Sequence, residues 1–188
     1  MSWTAVVPVK AWRSAKSRLE LPPDSRAAMA RSMTLVVLDL LTAHPDIEHV
    51  VVVTVDADAA REAQARGATV LAEDLGLNEA VRHGCAWIAE NRGDGPTVVV
   101  PADLGFLTAS ALSDALAILA EVGRAHVPDL SGEGTTLLAA PSASAITPLY
   151  GVGSSAAHAE AGFVRADGVD PCVRADVDRL EDLQTRPA

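Results

Sequence analysis

Residues 50–67 read VVVVTVDADAAREAQARG. Their pattern predicts a strand, then a helix, then a residue that ends the helix. The run Val50–Val55 is entirely β-branched and has no polar alternation, which is typical of a strand covered on both faces of its sheet. The polar segment 56–66 has the composition of a short helix, and Gly67 is the kind of residue that commonly ends one. A buried strand that leads directly into a helix predicts an α/β fold with a largely parallel sheet.

The same alternation of strands and helices continues on both sides of this unit. Apolar runs that end in turn residues predict further buried strands, and longer segments rich in helix formers predict helices. The predicted strands are Ala5–Val9, Ala68–Leu71 and Thr97–Val100, and the predicted helices are Ser25–Ala43, Asn78–Asn91 and Ala109–Val122. Thr108 is placed to cap the last of these helices, with Gly123 just past its end.

The pattern changes after Gly123, where shorter strands and more turns are expected. The Ala/Ser/Pro stretch Ala139–Pro148 predicts a mobile loop, and a short helix is expected near Ser155–Ala161. No internal repeat or linker divides the chain. Residues 1–188 are therefore predicted to form a single α/β domain, with a mostly parallel central sheet flanked by helices.

The bulk composition excludes several classes of function. The chain has 188 residues, 49% of them hydrophobic, and a formal net charge of −10. This charge argues against binding to nucleic acid or to an anionic membrane. Cys85 and Cys172 give neither a disulfide framework nor a metal-ligand spacing. With no signal peptide and no apolar run long enough to span a membrane, a cytoplasmic protein is expected. The sequence leaves the oligomeric state open, a homo-oligomer included.

Ligands of open α/β sheets bind outside the carboxyl ends of the strands. The residues after Val9, Val55, Val100 and Ala175 are therefore the first candidates for a site. Directly after Val9, four of the chain's 15 basic residues fall within nine positions, namely Lys10, Arg13, Lys16 and Arg18. In an acidic protein such a cluster predicts an anion site, where Lys and Arg meet phosphate. A solvated basic loop is the alternative, because the glycine-rich pattern of a phosphate loop is missing.

Carboxylates follow two of the other expected strand ends. Asp103 comes at the end of a fully apolar strand, where it can hold Mg²⁺ or merely open a turn. In Asp176-Val177-Asp178, an extended chain would place both carboxylates on one face and complete a Mg²⁺ site with Asp103. The alternative for Asp178 is a capping role at the start of a terminal helix, Leu180–Thr185.

Two glycine-containing segments are further candidates for anion binding. In Asp129–Thr136, closely spaced glycines let backbone N–H groups converge, although a hairpin turn would use the same residues. Gly151–Ser155 predicts either an anion site at a helix N-terminus, with Ser154 as a ligand, or simple capping. His158, one turn into that helix, is expected to be structural. The absence of a nucleophile elbow argues against a serine hydrolase or a cysteine protease.

Six short motifs follow one another along nearly the whole chain: Val7–Lys10 with Ala15–Leu19, Gly76–Ala80, Pro101–Leu104, Gly132–Leu138, Tyr150–Ser154 with His158, and Asp176–Asp178 with Glu181–Leu183. Taken together in this order, they resemble the guanylyltransferases of coenzyme F420 biosynthesis. The chain departs from that family at Gly105, where members often have proline. Thr136, which is often Asn in archaeal members, resembles the actinobacterial branch.

The resemblance implies a nucleotidyltransferase fold related to the nucleotide-diphospho-sugar transferases, with Mg²⁺ as cofactor. It also implies roles for individual residues. Lys10, Lys16 and Asp103 would be the catalytic residues. The triphosphate would face Lys10, Lys16 and Arg18, with Asn78 near the nucleoside. The metal would be held by Asp103, Asp176 and Asp178, and the acid substrate by Thr136, Gly151 and Ser154.

The reaction implied by the resemblance joins GMP from GTP to a small phosphorylated acid and releases pyrophosphate. The actinobacterial pattern implies phosphoenolpyruvate as that acid, with enolpyruvoyl-2-diphospho-5'-guanosine as the product. The alternatives are the same reaction on 2-phospho-L-lactate, which gives lactyl-2-diphospho-5'-guanosine, and a non-catalytic nucleotide-binding module.

Overall fold

The computed structural model describes residues 2–16, 20–74, 76–177 and 182. Within this part of the chain, the strands are β1 (Trp3–Pro8), β2 (Ile47–Val53), β3 (Thr69–Leu71), β4 (Thr97–Val99), β5 (Ala125–Pro128), β6 (Thr135–Ala140) and β7 (Val164–Arg165). They form one sheet in the order β3-β2-β1-β4-β6-β5-β7. The pairs that involve β6 are antiparallel and the other pairs are parallel, which confirms the predicted fold class.

Helices cover both faces of this sheet. In the same part of the chain they are α1 (Pro23–Ala43), α2 (Ala57–Ala65), α3 (Leu77–Asn91), α4 (Ala109–Val122), α5 (Ser154–Glu160) and α6 (Pro171–Arg174), with a 3-10 turn at Ala143–Ala145. None of these helices has the length and apolarity needed to cross a membrane.

The β-branched run of β2 is explained by the two cores between which it lies. Val50 and Val52 pack in one hydrophobic cluster, together with Leu38 of α1. Val51 points to the other face and packs in the second cluster with Val81 of α3. Because successive residues of a strand alternate between faces, a strand covered on both sides needs an apolar residue at every position.

Most of the predicted elements are confirmed, with boundaries that shift by at most a few residues. The N-cap prediction for α4 is also confirmed, because the Thr108 hydroxyl accepts a hydrogen bond from the Ala111 N–H at 3.2 Å. Gly123 follows that helix with φ of 84°, a backbone angle that favours glycine. The carboxylate of Asp56 caps α2 by accepting from the N–H groups of Asp58 and Ala59.

Two expectations for the second half of the chain are wrong. Ala139–Pro148 is not a loose loop, since its first residues belong to β6 and Ala143 is fully buried in the 3-10 turn. Here small apolar residues serve close packing and not flexibility. Ala175 does not end a strand either, because it follows α6, and residues 175–177 form no strand.

The antiparallel strand β6 brings a new part of the chain to the edge formed by the carboxyl ends of the parallel strands. Val99 of β4 pairs with Leu138 of β6, and Thr97 pairs with Ala140. The carboxyl end of β4 therefore lies beside the amino end of β6, where Thr135 and Thr136 are. β5 runs antiparallel to β6, so the connection 129–134 lies at this same edge.

Candidate active site

A cavity of about 600 Å³ lies along the carboxyl ends of four neighbouring strands. Asp103 lines it after β4, Lys10 and Lys16 line it after β1, and Glu73 and Asp74 line it after β3. Strands in a sheet are about 4.8 Å apart, so the edge from β4 to β3 spans roughly 14 Å. The cavity therefore has cations and a carboxylate at one end and two further carboxylates at the other.

Lys16 is held against Asp103 at the cationic end. Its Nζ lies 2.7 Å from Asp103 Oδ2, and its side chain is only 7% exposed. Its backbone has φ of 56°, a left-handed angle that non-glycine residues seldom adopt and that clusters at functional sites. Lys10 is exposed on the same cavity. These two predicted phosphate contacts are thus brought together, while Arg18 lies outside the described residues.

The basic loop is anchored by Trp12 and Asp56. Trp12 N–H donates to Asp56 Oδ2 at 2.8 Å, and the buried indole N–H of Trp12 donates to Thr34 Oγ1 at 3.1 Å. The other oxygen of Asp56 accepts from the first N–H groups of α2. Sequence reasoning missed this anchor, although its signal was present, because Asp56 directly follows the strand end at Val55.

Asp103 fits the role of a cation ligand. Its Oδ1 atom is buried and accepts no hydrogen bond from any residue that the structure describes. An anionic oxygen without a donor is costly to bury unless a cation binds it. The described part of the chain holds no group of three or more acidic, His or Cys side chains placed for a metal.

The second predicted metal ligand, Asp176, lies next to a residue that packs against the Asp103 turn. A Cβ added at Gly105 would come within 3.7 Å of a methyl group of Val177 and 2.9 Å of the side chain of Met33. Asp176 itself is half-buried. Asp178, and the terminal helix expected after it, lie outside the described residues apart from Asp182. Of the two further predicted carboxylates, only Asp176 thus lies in the described part of the chain, and its role as a metal ligand stays a prediction.

The segment Asp129–Thr136 is a hairpin connection, as the second interpretation of the sequence held. Asp129 N–H donates to Gly134 O at 3.1 Å, and Gly132 N–H donates to Asp129 O at 3.1 Å. A Cβ on Gly134 would lie within 3.0 Å of the Asp129 carboxylate, so a larger residue there would force that side chain to move. The side chain of Thr136 is 1% exposed and donates to Val127 O at 3.4 Å.

Gly151 and Ser154 lie in the turn that leads into α5. Gly151 has φ of 145° and Gly153 has φ of 72°, and residues other than glycine seldom adopt such angles. Gly153 is the N-cap of α5, so Ser154 is not the cap but the first residue of the helix. Its N–H donates to Gly151 O at 3.1 Å, and the residue is buried.

Asn78 bridges the cavity and this turn. Its Nδ2 donates to Tyr150 O at 2.9 Å, and its Oδ1 accepts from Tyr150 N–H at 2.8 Å. The residues before it, Gly76 and Leu77, line the cavity. Asn78 itself does not line the cavity, and its amide is engaged by the main chain of Tyr150, so the nucleoside contact implied by the resemblance stays a prediction.

His158 is buried and tied to two segments. Its Nε2 accepts from Leu149 N–H at 2.9 Å, so the neutral ring carries its proton on Nδ1 and donates it to Thr135 Oγ1 at 2.9 Å. Burial, together with neighbouring His126, lowers the pKa of His158 to about 4. The structural role expected for His158 agrees with these contacts. Thr135 belongs to the glycine-containing segment that the sequence singled out, but its contact with His158 was not predicted.

Comparison with known sequences places the chain in a family. Residues 3–168 match the family described as guanylyl transferase CofC like. A phosphoenolpyruvate guanylyltransferase of Streptomyces coelicolor is 40% identical over 191 residues, covering 98% of this chain and 90% of that protein. One from Salinispora arenicola is 40% identical over 190 residues, covering 96% of this chain and 86% of the relative.

Comparison with solved structures supports the fold. A Desulfovibrio desulfuricans G20 protein, provisionally named a nucleotide-diphospho-sugar transferase, has a TM-score of 0.71 at 20% identity, covering 97% of this chain and 85% of that one. A 4-diphosphocytidyl-2C-methyl-D-erythritol synthase has a TM-score of 0.60 at 17% identity, with 97% and 95% covered. The family match and the close relatives go further than the fold, and the chain therefore belongs to the guanylyl transferase CofC like family and is a nucleotidyltransferase.

Proposed function

We propose that this protein transfers GMP from GTP to phosphoenolpyruvate, with release of pyrophosphate, as a step of coenzyme F420 biosynthesis. Its family membership and the names of its relatives support the reaction. The observation that carries the proposal is the pairing of Lys16 with Asp103 at the end of a cavity that crosses four strand ends. A cation and a carboxylate with one unsatisfied oxygen are the groups that a metal-bound triphosphate needs.

The nucleotide lies along the cavity, with its phosphates between β1 and β4 and its base toward β3. Val55 and Leu77, which are about half exposed, line the cavity between these ends and offer apolar contact to a ring. Beyond them, Glu73 and Asp74 supply carboxylates. Guanine presents two adjacent donors, N1–H and the 2-amino group, to such an acceptor, whereas adenine presents one donor beside an acceptor. This difference favours GTP over ATP.

A phosphate oxygen of phosphoenolpyruvate attacks the α-phosphorus of GTP in line. The new P–O bond forms as the bond from the α-phosphorus to the oxygen bridging to the β-phosphate breaks, and pyrophosphate leaves with that electron pair. The second pKa of a phosphomonoester is about 6, so the nucleophile is already anionic at neutral pH and needs no general base. His158, whose two ring nitrogens are engaged in hydrogen bonds, is not called on for proton transfer.

Catalysis consists of bringing two polyanions together and offsetting their charge. Lys10 and Lys16 neutralise the triphosphate, and Arg18 extends the same basic loop. Asp103 and Asp176, with Asp178, would hold Mg²⁺, which supplies charge stabilisation to the phosphate oxygens when bound. The ion pair with Asp103 holds the Lys16 ammonium at the cavity, which supports a role in offsetting that charge.

The acid substrate lies on the β6 side of Asp103. Thr136 begins that side of the edge. Gly151 and Ser154 belong to the turn into α5, and the next residue, Ser155, donates its N–H to Glu133 O of the β5–β6 connection at 3.0 Å. Backbone N–H groups at a glycine-containing turn are suited to carboxylate and phosphate oxygens. Phosphoenolpyruvate is favoured over 2-phospho-L-lactate because the relatives are named for it.

The reaction is tested by incubating the protein with GTP and Mg²⁺ and each acid separately, and by measuring pyrophosphate and product mass. We expect pyrophosphate release with phosphoenolpyruvate and a product that contains both GMP and the acid. Asp103→Asn should lower kcat/KM by at least about 100-fold, whereas Asp114→Asn, at an exposed position of α4, should leave it unchanged. GTP binding without turnover on any acid would favour a non-catalytic module.

The base assignment has its own test. Glu73→Gln and Asp74→Asn replace a carboxylate by an amide, so the variant that contacts guanine should lose about 10- to 100-fold in kcat/KM for GTP relative to ATP. If both variants keep the preference of the parent, guanine is recognised elsewhere.

A further inference from the structure

The main chain of Leu149 and Tyr150 is held by side chains from two helices. Asn78 bonds both the N–H and the C=O of Tyr150, at 2.8 and 2.9 Å, and His158 Nε2 accepts the Leu149 N–H at 2.9 Å. Residues 146–150 belong to no strand or helix. Buried backbone groups need hydrogen-bond partners. These three bonds supply partners to Leu149 and Tyr150, which have none from a β-sheet.

Asn78 joins two parts of the site that are 72 residues apart in sequence. It is the second residue of α3, directly after Gly76 and Leu77, which line the nucleotide cavity. Its partner Tyr150 directly precedes the turn Gly151–Ser154. This turn is proposed to bind the acid substrate, which accepts the GMP, and is called the acceptor turn below. The start of one helix thus contacts the nucleotide cavity with one residue and holds the acceptor turn with the next.

His158 connects the same main-chain segment to Thr135, which is next to the proposed substrate residue Thr136. While Nε2 holds Leu149, the proton on Nδ1 is donated to Thr135, the neighbour of Thr136. The aromatic ring of Tyr150 packs edge-on against the imidazole, with 5.3 Å between the ring centroids. The buried side chain of His158 thus joins the residues just before Gly151 to the start of β6, the two segments proposed to bind the acid substrate.

We propose that Asn78 is a positioning residue for the acceptor substrate: it holds the turn Gly151–Ser154 in register with the nucleotide cavity through the main chain of Tyr150. Both polar atoms of its side chain bond the main chain of Tyr150, so through these bonds the residue acts on the acid substrate. The inference rests on the proposed function, because it needs the turn to bind the acid.

The test compares Asn78→Ala with the parent in the coupled reaction. Loss of both hydrogen bonds should raise the KM for phosphoenolpyruvate by about 10- to 100-fold, while the dissociation constant for GTP, measured by calorimetry without acid, changes less than about threefold. Amide hydrogen exchange should accelerate at residues 149–154 and remain unchanged elsewhere. Asn91→Ala, on the last turn of the same helix, is the matched control and should behave as the parent.

Weakened GTP binding with an unchanged KM for phosphoenolpyruvate would overturn the inference, since it would make Asn78 a nucleotide ligand. Unchanged values for both substrates would overturn it as well. If Asn78→Ala does not fold, Asn78→Asp serves in its place, because it keeps one acceptor oxygen and loses the donor to Tyr150 O. If the parent itself gives no pyrophosphate with phosphoenolpyruvate, it is the proposed function that fails, and the exchange experiment still reports on the turn.

Discussion

Between pH 7 and pH 5, the buried imidazole of His158 is expected to cost the folded protein about 2 kcal/mol of stability. In the folded state its pKa is lowered from 6.5 to about 4, mainly by burial. The unfolded chain, with the ordinary value, therefore binds the proton first as the pH falls. Stability is fully present above about pH 6.5 and is lost progressively toward pH 4, by about 3 kcal/mol in total.

The perturbation that isolates this contribution is His158→Gln. A glutamine side chain can still accept the Leu149 N–H but does not titrate, so the variant should lose about 2 kcal/mol less than the parent between pH 7 and pH 5. The free energy of unfolding is measured in urea at both pH values, with the fluorescence of the chain's three tryptophans as the signal. Burial also lowers the pKa of His126. His126 therefore adds to the loss of stability in both the parent and the variant.

An equal loss of stability in parent and variant would refute the reasoning. A second measurement does not require the variant to fold, because the ring nitrogens of His158 in the parent can be followed by NMR. The neutral form with the proton on Nδ1 should persist to about pH 5. A titration midpoint near the ordinary value of 6.5 would show that the ring is not buried as described.

Two further predictions concern the loops around the site. Asp56→Asn keeps an oxygen for the N–H groups of α2 but turns an amide N–H toward that of Trp12, so the KM for GTP should rise about tenfold. Asp58→Asn, two residues further along and exposed, should not change it, and equal effects in steady-state assays would contradict the anchor. Gly134→Ala forces a methyl group against a carboxylate and should lower the free energy of unfolding by about 1–3 kcal/mol. In the same thermal scans Gly95→Ala, which has open space around it, should be nearly neutral, and a similar loss in both would refute the contact.

The predicted elements that depended on local signals are confirmed. The valine run at Val50–Val55 required a strand covered on both faces, and Thr108 and Gly123 marked the two ends of α4. The prediction of a loop at Ala139–Pro148 was wrong because small residues are common in loops, whereas Ala139, Ala140 and Ala143 are buried here. Burial of this kind depends on what packs against the segment, which composition does not report.

The amino-acid sequence by itself determined the fold class and the family, because hydrophobic periodicity, caps and short motifs act over a few residues. Tertiary structure alone decided which side chains meet around the cavity and its neighbouring turn. Lys16 and Asp103 are 87 residues apart, and Asn78 and Tyr150 are 72 apart. Such pairings arise from strand order, since the antiparallel β6 brings Thr135 beside the end of β4, and a one-dimensional pattern carries no record of that order.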